Sequence, residues 1–198
     1  MKEYNWQKEK VVAFVDDECI GLEKAKINSN RKIRYASRGI IFNEENKIAL
    51  LNKKNKNEYK LPGGGINEGE NIIDAFIREA KEETGCQIKI IDQLGVSIEE
   101  KGLTNFMQVS FIFVGKVTEF STCLFLTEKE KEEGAEVLWV SLDDAIELVS
   151  SSINNVKGSK YDDLYRSLFM VKRDSMILSY YKNEYLVENN CNNLTLKP

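Results

Sequence analysis

The sequence predicts an α+β fold, an α/β/α sandwich in which a mixed β-sheet lies between helices, with a further helix appended near the C-terminus. Three observations predict it. Short runs rich in β-branched and aromatic residues recur from Tyr35 to Val140. Apolar residues at helical spacing are confined to segments that begin near Asn71, Ser141 and Tyr161. Strands and helices intermix without regular βαβ alternation, the pattern of a mixed sheet flanked by helices.

Each element has a local reason. Val11 to Val15 is a short apolar run suited to an edge strand, and the segment to Lys32 is charged and irregular. Gly39 to Phe42, a turn at Asn43-Glu44-Glu45-Asn46, and Ile48 to Leu51 read as a β-hairpin. Tyr59 to Leu61 is a third strand, stopped by Pro62 and the glycines Gly63, Gly64 and Gly65. A helix is expected from about Asn71 to Thr84, closed by Gly85 where a left-handed C-cap is common. Cys86 to Ile98 and Phe106 to Val117 are long strands. Phe120 to Glu136 reads as a loop with an acidic second half, and Val137 to Val140 as the last strand. Ser141 caps a helix to about Ser150, and Tyr161 to about Tyr185 is a long helix. The expected organisation is thus an extension over residues 1–34 with its edge strand, a main domain over 35–155, and a helix within 156–198 that packs on the domain or on a partner and ends in a polar tail.

Composition narrows the function. A chain of 198 residues suits one domain with an appendage and buries roughly 70% of its unfolded surface without a disulfide or metal staple. Lys and Arg total 28 against 32 Asp and Glu, a net charge of −4, so no basic excess marks a general nucleic-acid binder. There is no histidine, which excludes Ser-His-Asp and Cys-His hydrolysis and histidine-ligated zinc or haem. Cys19, Cys86, Cys123 and Cys191 are scattered, with no metal-knuckle spacing, as suits a reducing cytosol. No apolar run approaches the ~20 residues of a membrane helix, and the charged Met1 to Lys10 segment is not a signal peptide. A cytoplasmic protein without a membrane partner is expected.

The helix after the glycines carries the chemistry. At ~100° per residue, Ile72, Phe76 and Ala80 share an apolar arc with Ile73 and Ala75, yet Glu79 and Glu83 fall inside that arc and Glu82 at its border. Like charges at i,i+4 repel, the C-terminal half of a helix disfavours carboxylates, and a carboxylate facing the sheet is desolvated. A divalent cation answers all three objections, and hard carboxylate oxygens suit Mg²⁺ or Mn²⁺ better than zinc. A solvated acidic face is the competing reading. The glycines weigh against it, because Gly63-Gly64-Gly65 lets backbone approach a ligand, and such a loop feeding a helix often cradles phosphate.

Gly64, then Glu70 after five residues, then Arg78-Glu79-Ala80-Lys81-Glu82-Glu83-Thr84-Gly85-Cys86 after seven more, resembles the Nudix box at every fixed position. The resemblance covers about Tyr35 to Ser151. The stretch Phe169-Met170-Val171-Lys172-Arg173-Asp174 is similar to a tail on a subset of bacterial members. It implies a Nudix fold and a hydrolase that cleaves a nucleoside diphosphate linked to another group, using Mg²⁺ and water attack at phosphorus. It implies that Glu79, Glu82 and Glu83, with the Gly64 backbone, hold the metal, and that Glu70 and Arg78 pair to orient loop and helix. The partner it implies is a small nucleotide.

Markers of known subgroups are missing. No proline lies between Pro62 and Pro198, unlike typical ADP-ribose pyrophosphatases, which leaves a MutT-like (deoxy)nucleoside triphosphate pyrophosphohydrolase as the default and an ADP-ribose or nucleotide-sugar pyrophosphatase as the alternative. A non-catalytic nucleotide sensor is the rival class, and the intact set of box glutamates speaks against it. Tyr59, Phe106, Phe111, Phe113 and Trp139 are available to stack a base, with Phe111 and Phe113 better suited to the core. With no imidazole, the general base must be a carboxylate: Glu79, with Glu128, Glu130, Glu132, Glu133 and Glu136 of the acidic loop as auxiliary candidates. The C-terminal helix is also a candidate for homodimer formation.

Overall fold

The computed structural model describes residues 4–120, 127–161 and 163–189. Cys123, Cys191, the first part of the expected acidic loop (121–126) and the polar tail lie outside those residues. The strands are β1 (Val11–Val15), β2 (Lys32–Phe42), β3 (Ile48–Lys53), β4 (Glu58–Lys60), β5 (Gly63–Gly65), β6 (Cys86–Lys101), β7 (Phe106–Phe120) and β8 (Ala135–Val140). The helices are α1 (Ile72–Thr84), α2 (Glu128–Glu132), α3 (Leu142–Ser152) and α4 (Leu164–Tyr180).

One mixed sheet runs β1-β6-β7-β2-β3-β4, with β5 on β2 and β8 on β3. β2 lies parallel to β7 along its whole length, and β1 is parallel to β6 at the sheet edge. Alternation sends successive side chains to opposite faces. On one face Ile41, Val109, Phe111 and Phe113 meet Phe76 and Ala80 of α1, where Phe76 stacks on Phe113 with ring centroids 5.6 Å apart. On the other face Ile40, Leu50, Ile112 and Val114 pack with Val149 of α3 and Val171, Ile177 and Leu178 of α4. The expected sandwich of helix, mixed sheet and helix is the observed one.

Three local features differ from expectation. The glycines form a strand, Gly63–Gly65 pairing with Ala36 to Arg38 on β2, and not a loop. Their pairing is possible because Gly63 takes φ 138°, a conformation hard for any side chain, and a Cβ there would press within 2.3 Å of Arg38 Cβ. β2 begins at Lys32, ahead of the apolar run, because its polar half is ordered by continuous pairing to β7. The expected long helix is regular to Tyr180 and then widens into a π-helical stretch at Tyr181–Tyr185, where Tyr181 stacks on Tyr185.

Candidate active site

A cleft of about 620 Å³ opens where β2, β5, α1 and the N-terminal half of α4 meet. Local chemistry sets α1 in place. Asn71 caps it by accepting from the backbone N–H of Ile73 and Asp74, and Gly85 ends it with φ 69°. Ser37 Oγ donates to the Ile72 carbonyl at 2.7 Å, fixing the helix start to β2.

Arg78 is the hub on α1. Its Nε and Nη2 engage both Glu70 oxygens at 2.8 and 3.1 Å, Nη2 also donates to the Gly65 carbonyl at 2.9 Å, and Nη1 reaches Glu79 at 2.8 Å and Glu82 at 3.0 Å. The paired guanidinium holds the Glu70 carboxyl below its ordinary pKa. The Tyr4 hydroxyl donates to the Glu70 carbonyl at 2.8 Å, so a residue of the N-terminal extension braces the same turn. Glu83 is buried, accepting from Lys60 Nζ and from the Gly63 N–H, both at 2.7 Å. Burial pushes its pKa up against the pull of Lys60 and the Gly63 N–H.

Glu79, Glu83 and Gly63 to Gly65 line the cleft, whereas Glu82 sits on its outer side, half exposed against Arg78. The box glutamates do not converge on a common point: Glu79 and Glu82 share a guanidinium, Glu83 holds an ammonium, and among the described residues no three acidic side chains enclose an ion. The donor set nonetheless fits a hard divalent cation, with the Glu79 carboxylate against Gly64, Glu83 on the Gly63 N–H, and Glu82 one turn away on the same helix. A Cβ on Gly64 would come within 2.5 Å of the Glu79 carboxylate, so a side chain there would shift that carboxylate.

The five acidic-loop candidates separate. Glu130 lines the cleft and accepts from the Thr127 N–H and hydroxyl, both at 2.9 Å. Glu133 is buried away from it, bound by Lys53 at 2.6 Å and Ser159 at 2.6 Å. Glu128 pairs with Lys131, Glu132 with Lys160, and Glu136 with Asn52 and Lys54. Of the aromatic candidates Phe106 lines the cleft, while Phe111 and Phe113 are core and Trp139 meets Phe120 edge to face.

The cleft also contains residues that motif reading missed. Eight Lys or Arg side chains line it against four carboxylates. Lys32, Arg34 and Arg38 stand at alternate positions of β2, a period-2 signal legible in the sequence once β2 is extended back to Lys32. Glu99 and Lys101 on β6 join Arg173 of α4 in a buried cluster, with Lys101 to Glu99 at 2.6 Å and Arg173 to Glu99 at 2.9 Å. Arg173 had no such signal, because only the docking of α4 brings it to the cleft.

Comparison with known proteins agrees with this geometry. The NUDIX domain family matches residues 32–159, and the chain belongs to that family. It is similar to an ADP-ribose pyrophosphatase of Methanocaldococcus jannaschii, 44% identical over 59 residues, which cover 28% of this chain and 35% of that protein. It is also similar to an RNA pyrophosphohydrolase of Bartonella quintana, 30% identical over 107 residues (42% and 62% of the two chains), and to Nudix hydrolase 10 of Arabidopsis thaliana, 28% identical over 124 residues (60% and 40%). The chain thus spans from about a third to three-fifths of the length of these relatives. Among solved structures, a NUDIX hydrolase from Nitrosomonas europaea superposes with a TM-score of 0.50 at 19% identity, covering 72% of this chain and 92% of that one, a likeness of fold. No helix among the described residues is long and apolar enough to cross a membrane.

Proposed function

We propose that the protein is a Mg²⁺-dependent (or Mn²⁺-dependent) Nudix pyrophosphohydrolase that cleaves a phosphoanhydride bond in a nucleoside diphosphate linked to another group, with a (deoxy)nucleoside triphosphate as the leading substrate. The observation that carries this reading is the meeting of Gly64 with Glu79 and Glu83 at one end of a cleft whose remaining wall is rich in Lys and Arg. Glu79, Glu82, Glu83 and the Gly64 carbonyl would hold the cation, which supplies charge neutralisation and a more acidic bound water. Arg78 and Glu70 tie the turn before α1 to its carboxylate face. Gly63 and Gly65 line the cleft on either side of Gly64, packed against Arg38 and Arg34, and form the phosphate strand. Glu79 accepts the proton of the attacking water, with Glu130 as its auxiliary, and Phe106 offers a face for the base.

An ADP-ribose or nucleotide-sugar pyrophosphatase is the second reading, favoured by the Methanocaldococcus jannaschii relative. The apolar side of α4 packs on α3 and the sheet, and we assign its N-terminal half to the cleft wall. We assign the protein to the cytoplasm on its scattered cysteines, of which Cys19 and Cys86 are free thiols. Product analysis over a nucleotide panel with Mg²⁺ tests the reading. A nucleoside monophosphate is expected from each substrate, with pyrophosphate as the second product from nucleoside triphosphates and a sugar phosphate from nucleotide sugars, and phosphomonoesters are expected to stay intact. Turnover of AMP above every phosphoanhydride would overturn the reaction class, and no turnover of any nucleotide would favour a sensor.

A further inference from the structure

Arg38 lies directly across from Gly63 on the β2–β5 ladder and lines the cleft. Its side chain is 5% exposed, and among the described residues it makes no ion pair, while its buried Nε has no hydrogen-bond partner. The strongest charge acting on it is another guanidinium, that of Arg173 on α4, and Asp174, Glu99 and Glu83 act on it more weakly without forming an ion pair. Arg173 uses Nε on Asp174 and Nη1 on Glu99, both short, but its buried Nη2 is also without a partner. Lys101 completes the cluster, with Glu99 on one side and the Phe169 ring 4.9 Å away on the other.

A buried guanidinium N–H without an acceptor is costly, and two such groups on neighbouring arginines repel each other as well. Burial and the Arg173 charge pull the Arg38 pKa down to about 10 against Asp174, Glu99 and Glu83, and the donors left over at the site are Arg38 Nε and Arg173 Nη2. What it lacks is a compact group with several anionic oxygens, since the fork of each arginine matches phosphate and both open on the same cleft. Lys32, Arg34 and Arg166 line the same cleft, also without an ion-pair partner among the described residues.

We infer that Arg38 and Arg173 form a second anion subsite, which holds a phosphoryl group of the substrate additional to the two that flank the scissile bond. This rests on the pyrophosphohydrolase reading and deepens it: the preferred substrates carry three or more phosphoryl groups, and a nucleoside diphosphate joined to a neutral sugar leaves the subsite empty. Arg173 comes from α4, outside the matched domain at residues 32–159, so the preference is set by an element appended to it.

Calorimetric binding of inorganic tripolyphosphate and pyrophosphate, in EDTA, tests the subsite without turnover. Wild type is expected to bind tripolyphosphate at least about tenfold more tightly than pyrophosphate. Arg38→Gln breaks no direct ion pair, since Glu99 keeps Lys101 and Arg173, and should fold, as its melting curve will report. It is expected to lose that preference, with Arg38→Lys restoring part of it. In the Mg²⁺ assay, the ratio of kcat/KM for a nucleoside triphosphate to that for a nucleotide sugar should fall about tenfold in Arg38→Gln, through KM. Equal binding of the two anions by wild type, or an unchanged preference in folded Arg38→Gln, overturns the inference. If no nucleotide is hydrolysed, the functional reading fails while the EDTA measurement still decides the subsite.

Discussion

Asp174 Oδ2 accepts a hydrogen bond from the backbone N–H of Leu61 at 2.9 Å, so helix α4 grips the chain one residue before Pro62 and the glycine strand. The same carboxylate binds Arg173, and Arg173 in turn binds Glu99. Position of the glycines is therefore coupled to a helix more than a hundred residues away in sequence, through groups that are all buried.

Removing that grip should be expensive. Asp174→Ala strands the Leu61 N–H and one side of Arg173, and is expected to lower unfolding stability by about 3 kcal/mol. Asp174→Asn keeps an acceptor for Leu61 and should lose less. Urea denaturation of the two variants checks the order.

How much of this was legible in sequence depends on whether a residue's meaning is local. The box spacing brings Glu70, Arg78, Glu79 and Gly64 together because six to eight residues of turn and helix determine their relation, and the observed Arg78 fork follows directly. The sandwich was legible for the same reason, since each strand and helix carries its own periodicity. The contact of Arg173 with Glu99 was not, because it joins β6 to α4 across 74 positions, and the tail resemblance around Arg173 says nothing of where the side chain goes. Glu130 stood undistinguished among five glutamates until the fold turned it alone toward the cleft.

Gly64→Ala should be a nearly pure activity variant. Its backbone lies outside the left-handed region, so alanine adds no conformational strain there, but the new Cβ would displace the Glu79 carboxylate. A fall in kcat of about a hundredfold is expected from a displacement of roughly 1 Å at the reacting centre. Steady-state kinetics beside a melting curve checks it, and a near-normal kcat would detach Glu79 from the chemistry.

Acid should unfold the protein through Glu99. Burial works against its charge, yet Lys101, Arg173 and Arg38 outweigh burial and hold its pKa well below the usual carboxylate range. A carboxylate depressed in the folded state contributes stability that is fully present above the ordinary value of about 4.3 and is lost as pH falls below it. Stability measured in urea should thus drop steeply below about pH 4.3. Glu99→Gln should be less stable at pH 7 and show a shallower acid slope, so that the two curves approach each other.

Arg38 should behave in the opposite sense. Its lowered pKa, about 10, means that the folded state disfavours its charge, so replacing it relieves desolvation and the repulsion of Arg173. Arg38→Met is expected to raise unfolding stability by about 1–3 kcal/mol while weakening anion binding. Thermal denaturation with and without tripolyphosphate checks both halves: the variant should melt higher in plain buffer and gain less from the anion.

The general base separates Glu79 from Glu130. Glu130 reaches the cleft with its oxygens held by Thr127, and although burial works against its charge, Lys60, Thr127 and Lys53 keep its pKa below the ordinary carboxylate value. It is therefore ionised at neutral pH, but its lowered pKa makes it a weak base, which suits an auxiliary role. Glu79 is closer to the glycines but shares its Oε1 with Arg78. At saturating Mg²⁺, Glu79→Gln should lower kcat by about 10²–10⁴-fold, the range of a lost general base, and Glu130→Gln by about tenfold as an auxiliary. Glu128→Gln, Glu132→Gln and Glu136→Gln should leave kcat within a few fold, because their partners lie outside the cleft. Glu133→Gln should act on folding, since it takes from the buried Lys53 ammonium its shorter ion pair and leaves only Glu58 at 3.6 Å. Should Glu130→Gln abolish turnover while Glu79→Gln retains it, the proton passes to the loop, and Glu79 serves only to hold the cation.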